Sequence, residues 1–221
     1  MSTQGAARLP QRRRVSVRAV GIAVAVLVVA AMALDTTYKD ADAPKPTAGG
    51  RAAFEPAQYG AKTYPKVAAT LEQKAQPLPE LAAALRKDPE AAGKQYGHRE
   101  GNSPYSFATR GEGIAGATKA GLMEVDVAGV PKSTRVSIQV GPALNGTALR
   151  DAVGFISFGQ FVNQVDFADA GTALNNEVKA KVLKTVDAQD LKGKRVSFTG
   201  AFTALTPSVV TVTPTKLETA S

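Results

Sequence analysis

The sequence predicts an α+β fold: a small OB-like antiparallel β-barrel with an N-terminal helical subdomain, preceded by one transmembrane helix. Three observations predict it. An uncharged apolar run, Ala19 to Leu34, follows five arginines (Arg8, Arg12, Arg13, Arg14, Arg18). Residues 53–97 carry helical spacing and proline start signals. Beyond them come five short alternating segments, with one long helical stretch between the third and the fourth. That order of elements is the one expected of an OB-like barrel.

The apolar run rises ~24 Å as a helix at ~1.5 Å per residue. This is lean for a bilayer core of about 30 Å, and Arg18 can snorkel to extend it. The arginine flank places residues 1–18 in the cytoplasm as a basic tail, and everything after Asp35 outside. The segment also has the anatomy of a cleavable signal, with Ala31-Met32-Ala33 as the small-x-small site. An anchor is the preferred reading. Residues 35–52, with Pro44, Pro46, Gly49 and Gly50, read as a linker.

The net charge of +8 does not point to nucleic acid. Five of the 27 basic residues lie in the first 34 positions, where there is no acid, so the exported part is only slightly basic. An OB-like oligonucleotide binder would also need aromatics interleaved with basic residues, and these are missing. The chain has no cysteine. Disulfides, a thiol nucleophile, thiolate metal sites and a lipidated cysteine are thereby excluded. With a single histidine, His98, neither a histidine-rich zinc site nor a Ser-His-Asp triad is well supplied. No metal, cofactor or catalytic set is expected.

In the helical part, Phe54-Glu55-Pro56 opens a helix, with Val67 and Leu71 on one face and Pro65 as a start or kink. Pro79 suits the first turn of a second helix with Leu78, Leu81 and Leu85 as its stripe. Asp88-Pro89-Glu90 reads as cap, first-turn proline and acid of a third helix ending at Tyr96, with Gly97 as its left-handed terminator. The barrel part, 98–221, starts with a loop, His98 to Pro104. Strands are then expected around Tyr105–Arg110, Met123–Val127, Val136–Val140, Val196–Phe198 and Val210–Val212. Gly141 to Gln164 looks irregular. Asn163 caps the long helix, whose face carries Phe167, Gly171, Leu174, Val178 and Val182.

Six residues are candidates for contact with a ligand or partner: Thr147, Arg150, Asp151, Asn163, Gln164 and Asn175. A guanidinium fork at the barrel mouth suits an anionic ligand. The favoured alternative is that Arg150 ties the irregular stretch to the barrel. Arg150 and Asp151 are adjacent, so each is expected to pair with something distant in sequence. Phe155, Phe158 and Phe161 form either a stacking platform or, preferably, a packed corner. Asn163 has a ready role as a cap, and Asn175 faces a partner or bonds to the barrel. Asn145-Gly146-Thr147 fits a tight turn better than a glycosylation site. His98 is expected in a solvated loop.

From Phe54 onward the chain resembles the domain of unknown function 2291 family, the predicted periplasmic lipoproteins of bacteria. The resemblance rests on Phe54-Glu55-Pro56, Asp88-Pro89-Glu90-Ala91-Ala92-Gly93, Tyr96-Gly97-His98-Arg99-Glu100-Gly101 and Gly141-Pro142. It continues through Gly146-Thr147-Ala148-Leu149-Arg150-Asp151, Phe158 with Phe161, Asn163-Gln164, Leu174-Asn175 and Gly193-Lys194 with Phe198-Thr199-Gly200-Ala201-Phe202. It implies a helical part plus an OB-like barrel, and an accessory role near a sugar ABC uptake system. Many members begin with a lipobox cysteine, which is missing here. The combined expectation is a membrane-anchored extracytoplasmic binding or adaptor module. An envelope carbohydrate-acting enzyme using carboxylates such as Glu100, Asp151 and Asp166 is the alternative.

Overall fold

A computed structural model describes residues 54–220. The predicted basic tail, apolar segment and linker therefore lie outside the described residues. Among the described residues no helix is long and apolar enough to cross a membrane.

Helix α1, Pro56–Lys74, starts on its proline and continues through Pro65 rather than restarting there. Its buried stripe is Gly60, Tyr64, Val67 and Leu71. A two-residue strand, β1 (Gln76–Pro77), leads into α2, Leu78–Lys87, which buries Leu78, Leu81 and Leu85. Helix α3, Pro89–Tyr96, is capped as its sequence suggests, with Asp88 accepting from the Ala91 N–H at 3.0 Å. Gly97 is not a left-handed terminator. Its backbone is extended (φ −101°), and it opens β2, Gly97–His98, which pairs with β3. Glycine is required there because a Cβ would stand 2.8 Å from the Phe107 ring.

The main sheet uses β3 (Ser106–Lys119), β4 (Leu122–Val127), β5 (Arg135–Gln139), β6 (Arg195–Thr203) and β7 (Val209–Thr219). All five expected strands are present, and β3 is longer than its alternation suggested. The first half of β3 pairs with β6 and its second half with β4. Strand β4 pairs with β5, and β7 lies between β5 and β6. These pairings form a closed cycle, β3-β4-β5-β7-β6-β3. The expected all-antiparallel arrangement is corrected in one respect: the sheet is mixed. Strands β5 and β7 run parallel, as do β1 and β3. Parallel neighbours need a long crossover. Here the chain between β5 and β7 supplies α4 (Ala148–Ala152), α5 (Gln164–Lys181) and β6.

Two apolar clusters result. One combines side chains of all five long strands, among them Phe107, Met123, Ile138, Phe198 and Val212, with Leu78, Leu81 and Leu85 of α2. Phe107 and Phe202 stack at its centre, 5.4 Å between centroids. The other joins α1, α4 and α5 to the opposite sheet face, through Tyr64, Leu71, Leu149, Leu174 and Val178 against Ala108 and Ala201. Alternation along β3 thus sends Phe107 to one cluster and Ala108 to the other. Alanine on the helix side lets α1 and α4 approach the strands closely. Because both faces are covered, Ser106 to Thr109 are all buried, and the half-buried alternation expected there is absent.

Candidate functional site

The segment between β5 and α5 is not wholly irregular. The chain turns at Gly146, whose φ of +85° needs a residue without Cβ, and then forms α4. Asn175 of α5 holds this turn, its amide donating to the Gly146 carbonyl at 2.9 Å and the Leu144 carbonyl at 3.5 Å. Asn175 is buried and plays this scaffold part; it does not line the cleft described below.

Helix α4 presents the charged cluster. Thr147 Oγ1 donates to Asp151 Oδ2 at 2.6 Å, and Arg150 Nε donates to Asp151 Oδ1 at 2.7 Å. The expectation that Arg150 and Asp151 each find a distant partner is therefore corrected: the long arginine stem folds back and the two adjacent residues pair. Arg150 also reaches α5, where Nη1 donates to the Phe167 carbonyl at 2.7 Å. Its guanidinium lies over the Phe167 ring, 3.5 Å from the centroid. Arg150 is only 8% exposed. Nη2 takes part in neither of these hydrogen bonds. Gly171, one turn beyond Phe167, permits the close approach of α4, since a Cβ there would sit 2.8 Å from Thr147 Cγ2.

Neighbouring groups brace this cluster. His98, expected in a solvated loop, is half-buried in β2, and its Nδ1–H donates to the Asp151 carbonyl at 2.7 Å. Glu100 Oε1 accepts the Phe158 N–H at 2.8 Å. Asn163 caps α5 by accepting from the Asp166 N–H at 2.9 Å. The reciprocal contact runs from the Asn163 amide to the Asp166 carboxylate at 3.2 Å, not to the backbone. Tyr59 packs against Phe54 and Phe161. Burial pushes its phenol up, against the opposing pull of Thr63 and the positive Arg150.

Above the cluster lies an open cleft of about 530 Å³. Thr147, Arg150, Asp151 and Gln164 are polar lining, and Phe158, Phe167 and Leu205 are apolar lining. Four of the six predicted residues thus come together, and Asn163 stands beside Gln164. Of the three phenylalanines, Phe161 is the packed corner, in contact with Phe54 and Phe167. Phe155 lies beneath the Lys66 ammonium. Phe158 is 42% exposed and belongs to the cleft.

Leu205 and Phe167 are cleft residues that sequence reasoning did not single out. Phe167 looked like an ordinary member of the α5 core stripe. Leu205 carried a weak signal, a lone large apolar residue in the polar turn Ala204 to Ser208.

Chemically, the positive charge is already matched. Asp151 neutralises Arg150, and Glu100 adds a further negative charge to the lining. The fork that would grip a free anion is engaged by the chain's own carboxylate and carbonyl. What is left is a rigid polar patch beside aromatic and aliphatic surface. Among the described residues no group of histidine, aspartate and glutamate is arranged to hold a metal ion.

The family model for predicted periplasmic lipoproteins, domain of unknown function 2291, matches residues 22–218. The chain belongs to this family. Its members are described as predicted periplasmic lipoproteins. This member has no cysteine to carry a lipid. No curated protein matches the chain. Among solved structures it is similar to an OB-fold protein from Thermotoga maritima, known from its crystal structure. The two share 22% identity, with a TM-score of 0.64, over 76% of this chain and all of the other. At that identity the likeness establishes a shared fold only.

Proposed function

We infer that the folded domain is an extracytoplasmic binding or adaptor module, held at the membrane by Ala19 to Leu34 with the N-terminus in the cytoplasm. Its contact site is the cleft over α4. One observation carries this reading: Arg150, almost fully buried, is fixed by two hydrogen bonds and an aromatic face at the floor of an open, partly apolar cleft. A pre-organised polar floor with apolar walls is the usual composition of a recognition site.

The carboxylates named for the alternative, hydrolysis of a glycan, all carry structural contacts in this fold. Asp151 is occupied by Thr147 and Arg150, Asp166 by Asn163, and Glu100 by the Phe158 backbone. The partner proposed from the family resemblance is a component of a sugar ABC uptake system.

Two experiments test the reading. A reporter fused after Ser221 should be active only outside the cytoplasm; activity inside would refute the topology. A photo-crosslinking side chain at Leu205 in the full-length protein should capture one discrete partner in cells, whereas the same group at Lys132, away from the cleft, should not. Equal labelling from both positions would refute the cleft as the contact site, and a product without transporter subunits would refute the sugar-uptake partner.

A further inference from the structure

The charge lining the cleft runs against the charge of the domain. Residues 54–220 carry a small excess of basic over acidic side chains. Among the described residues that line the cleft over α4 the balance is reversed, with Glu100 and Asp151 against Arg150 as the one base. That base is not offered to a visitor. Arg150 is almost fully buried, and it is held by Asp151 and by the Phe167 carbonyl. Asp151 is engaged on both oxygens, by Thr147 and by Arg150.

Glu100 is the acid with capacity left. Its Oε1 accepts the Phe158 N–H at 2.8 Å, while Oε2 has no partner among the described residues, and the side chain is exposed. The backbone bond fixes the carboxylate beside Phe158, whose exposed ring lines the same cleft. Leu205, 77% exposed, lines it too. A fixed negative charge next to aromatic and aliphatic surface suits a long basic side chain. The methylene stem of a lysine or arginine covers apolar surface while its head reaches a carboxylate. An aromatic face attracts the same head group. An acidic group or a phosphate would instead meet repulsion from Glu100, and the arginine that could grip it is already neutralised. Small ligands are usually enclosed over most of their surface. An open cleft fits a side chain that is still attached to its own polypeptide.

We propose that the cleft over α4 takes a cationic, partly apolar segment of a partner protein: a lysine or arginine next to a large apolar side chain. Glu100 selects the charge, and Phe158 and Leu205 receive the apolar part. The inference rests on the cleft being the contact site, as proposed above, and adds what the partner presents there.

The absence of tryptophan supplies the assay. Three probes are titrated against the full-length protein in a zwitterionic detergent: acetyl-Lys-Trp-Lys-amide, acetyl-Gln-Trp-Gln-amide and acetyl-Glu-Trp-Glu-amide. The blue shift of the probe's tryptophan, relative to detergent alone, reads binding. The expected order of affinity is the lysine peptide, then the glutamine peptide, then the glutamate peptide. General attraction to the protein would give the reverse order, since its net charge is positive. Glu100→Gln keeps an oxygen for the Phe158 N–H and removes the charge. It should weaken the lysine peptide roughly 2- to 5-fold, as for an exposed ion pair, and leave the glutamine peptide unchanged. Leu205→Asn should weaken both of these peptides alike. Asp126→Asn, on β4 and outside the cleft lining, should weaken neither. Circular dichroism checks the fold of each variant, and added salt should shrink the preference for lysine over glutamate. Equal affinity for the lysine and glutamate peptides, an unchanged lysine peptide with Glu100→Gln, or no binding of any probe at millimolar concentration overturns the inference. The crosslink at Leu205 in cells separates this from failure of the cleft. A captured partner without the lysine preference removes the cationic segment alone, and no capture removes both.

Discussion

Replacing Arg150 with alanine removes the group that fixes the cleft floor. The side chain makes two charge-assisted hydrogen bonds, to Asp151 Oδ1 and to the Phe167 carbonyl. Each is worth about 1.5 to 3 kcal/mol. Stacking on Phe167 adds roughly 0.5 to 2 kcal/mol. These contributions overlap. Asp151 is 25% exposed, so water takes over part of the lost partner. The Phe167 carbonyl keeps its place in α5. The net cost works out at about 2 to 4 kcal/mol, short of the roughly 3 to 5 kcal/mol for breaking a fully buried pair. For a domain of this size that lowers Tm by roughly 5 to 15 °C. Thermal unfolding of the purified protein followed by far-ultraviolet circular dichroism measures it. Arg150→Met, which keeps the stem but not the fork, should recover only the packing share of the loss. A Tm for Arg150→Ala within ~1 °C of the parent would refute the reasoning, because the floor would then not depend on the guanidinium.

Substitutions at Asn175, Tyr64 and Gly200 test separate features, with Gly159 as a control. Asn175→Asp keeps the shape but sets a carboxylate against the Leu144 and Gly146 carbonyls, and should cost about 2 to 3 kcal/mol in urea unfolding, more than Asn175→Ala at about 1 kcal/mol. The Tyr64 phenol is pushed up to about 12, first by burial and then by Glu177. The unfolded chain releases that proton near pH ~10, so stability is intact below that pH and falls as pH rises toward ~12. Tyr64→Phe should flatten this alkaline loss. Because the buried hydroxyl has no hydrogen-bond partner among the described residues, the substitution should also raise stability near neutrality by up to ~1 kcal/mol. Gly200→Ala would press a Cβ on the Thr213 carbonyl oxygen, a backbone atom that cannot swing aside, and should cost about 1 to 3 kcal/mol. Gly159→Ala, where space is open, should lie within about 0.5 kcal/mol of the parent in the same unfolding assay.

The helices and strands were legible where local chemistry decides them. Asp88 and Asn163 are caps in the structure because a short oxygen-bearing side chain before a helix has a free N–H within reach. Leu122 to Val127 alternates in burial as its residues alternate in polarity. Legibility stopped where distant segments meet. Ser137 and Gln139 read as the solvent side of β5, yet both are buried, bonded to Thr211 and Thr213 of the parallel neighbour β7. Helix α4 was missed because five residues are too few to show a period. Gly97 looked like a helix terminator from its position; its actual reason, the Phe107 ring, comes from another strand. The site followed the same pattern. Thr147, Arg150 and Asp151 stood out as a polar cluster, but the pairing of Arg150 with its own neighbour depends on α5 supplying Phe167 behind it. Leu205 joins the cleft only through tertiary placement.

The position of β7 constrains how the domain is made. It is the last strand in chain order among the described residues, and both β5 and β6 pair with it, one of them parallel. Strand β3 must likewise wait for β6, which follows it by some ninety residues. The sheet therefore cannot close until β6 and β7 have both left the ribosome. Only α1 to α3 and the β3-β4-β5 meander can form from what emerges first, and a sheet lacking two of its neighbours leaves strand edges and apolar side chains open. Until β7 arrives, whatever accompanies the growing polypeptide has to shield a half-built sheet.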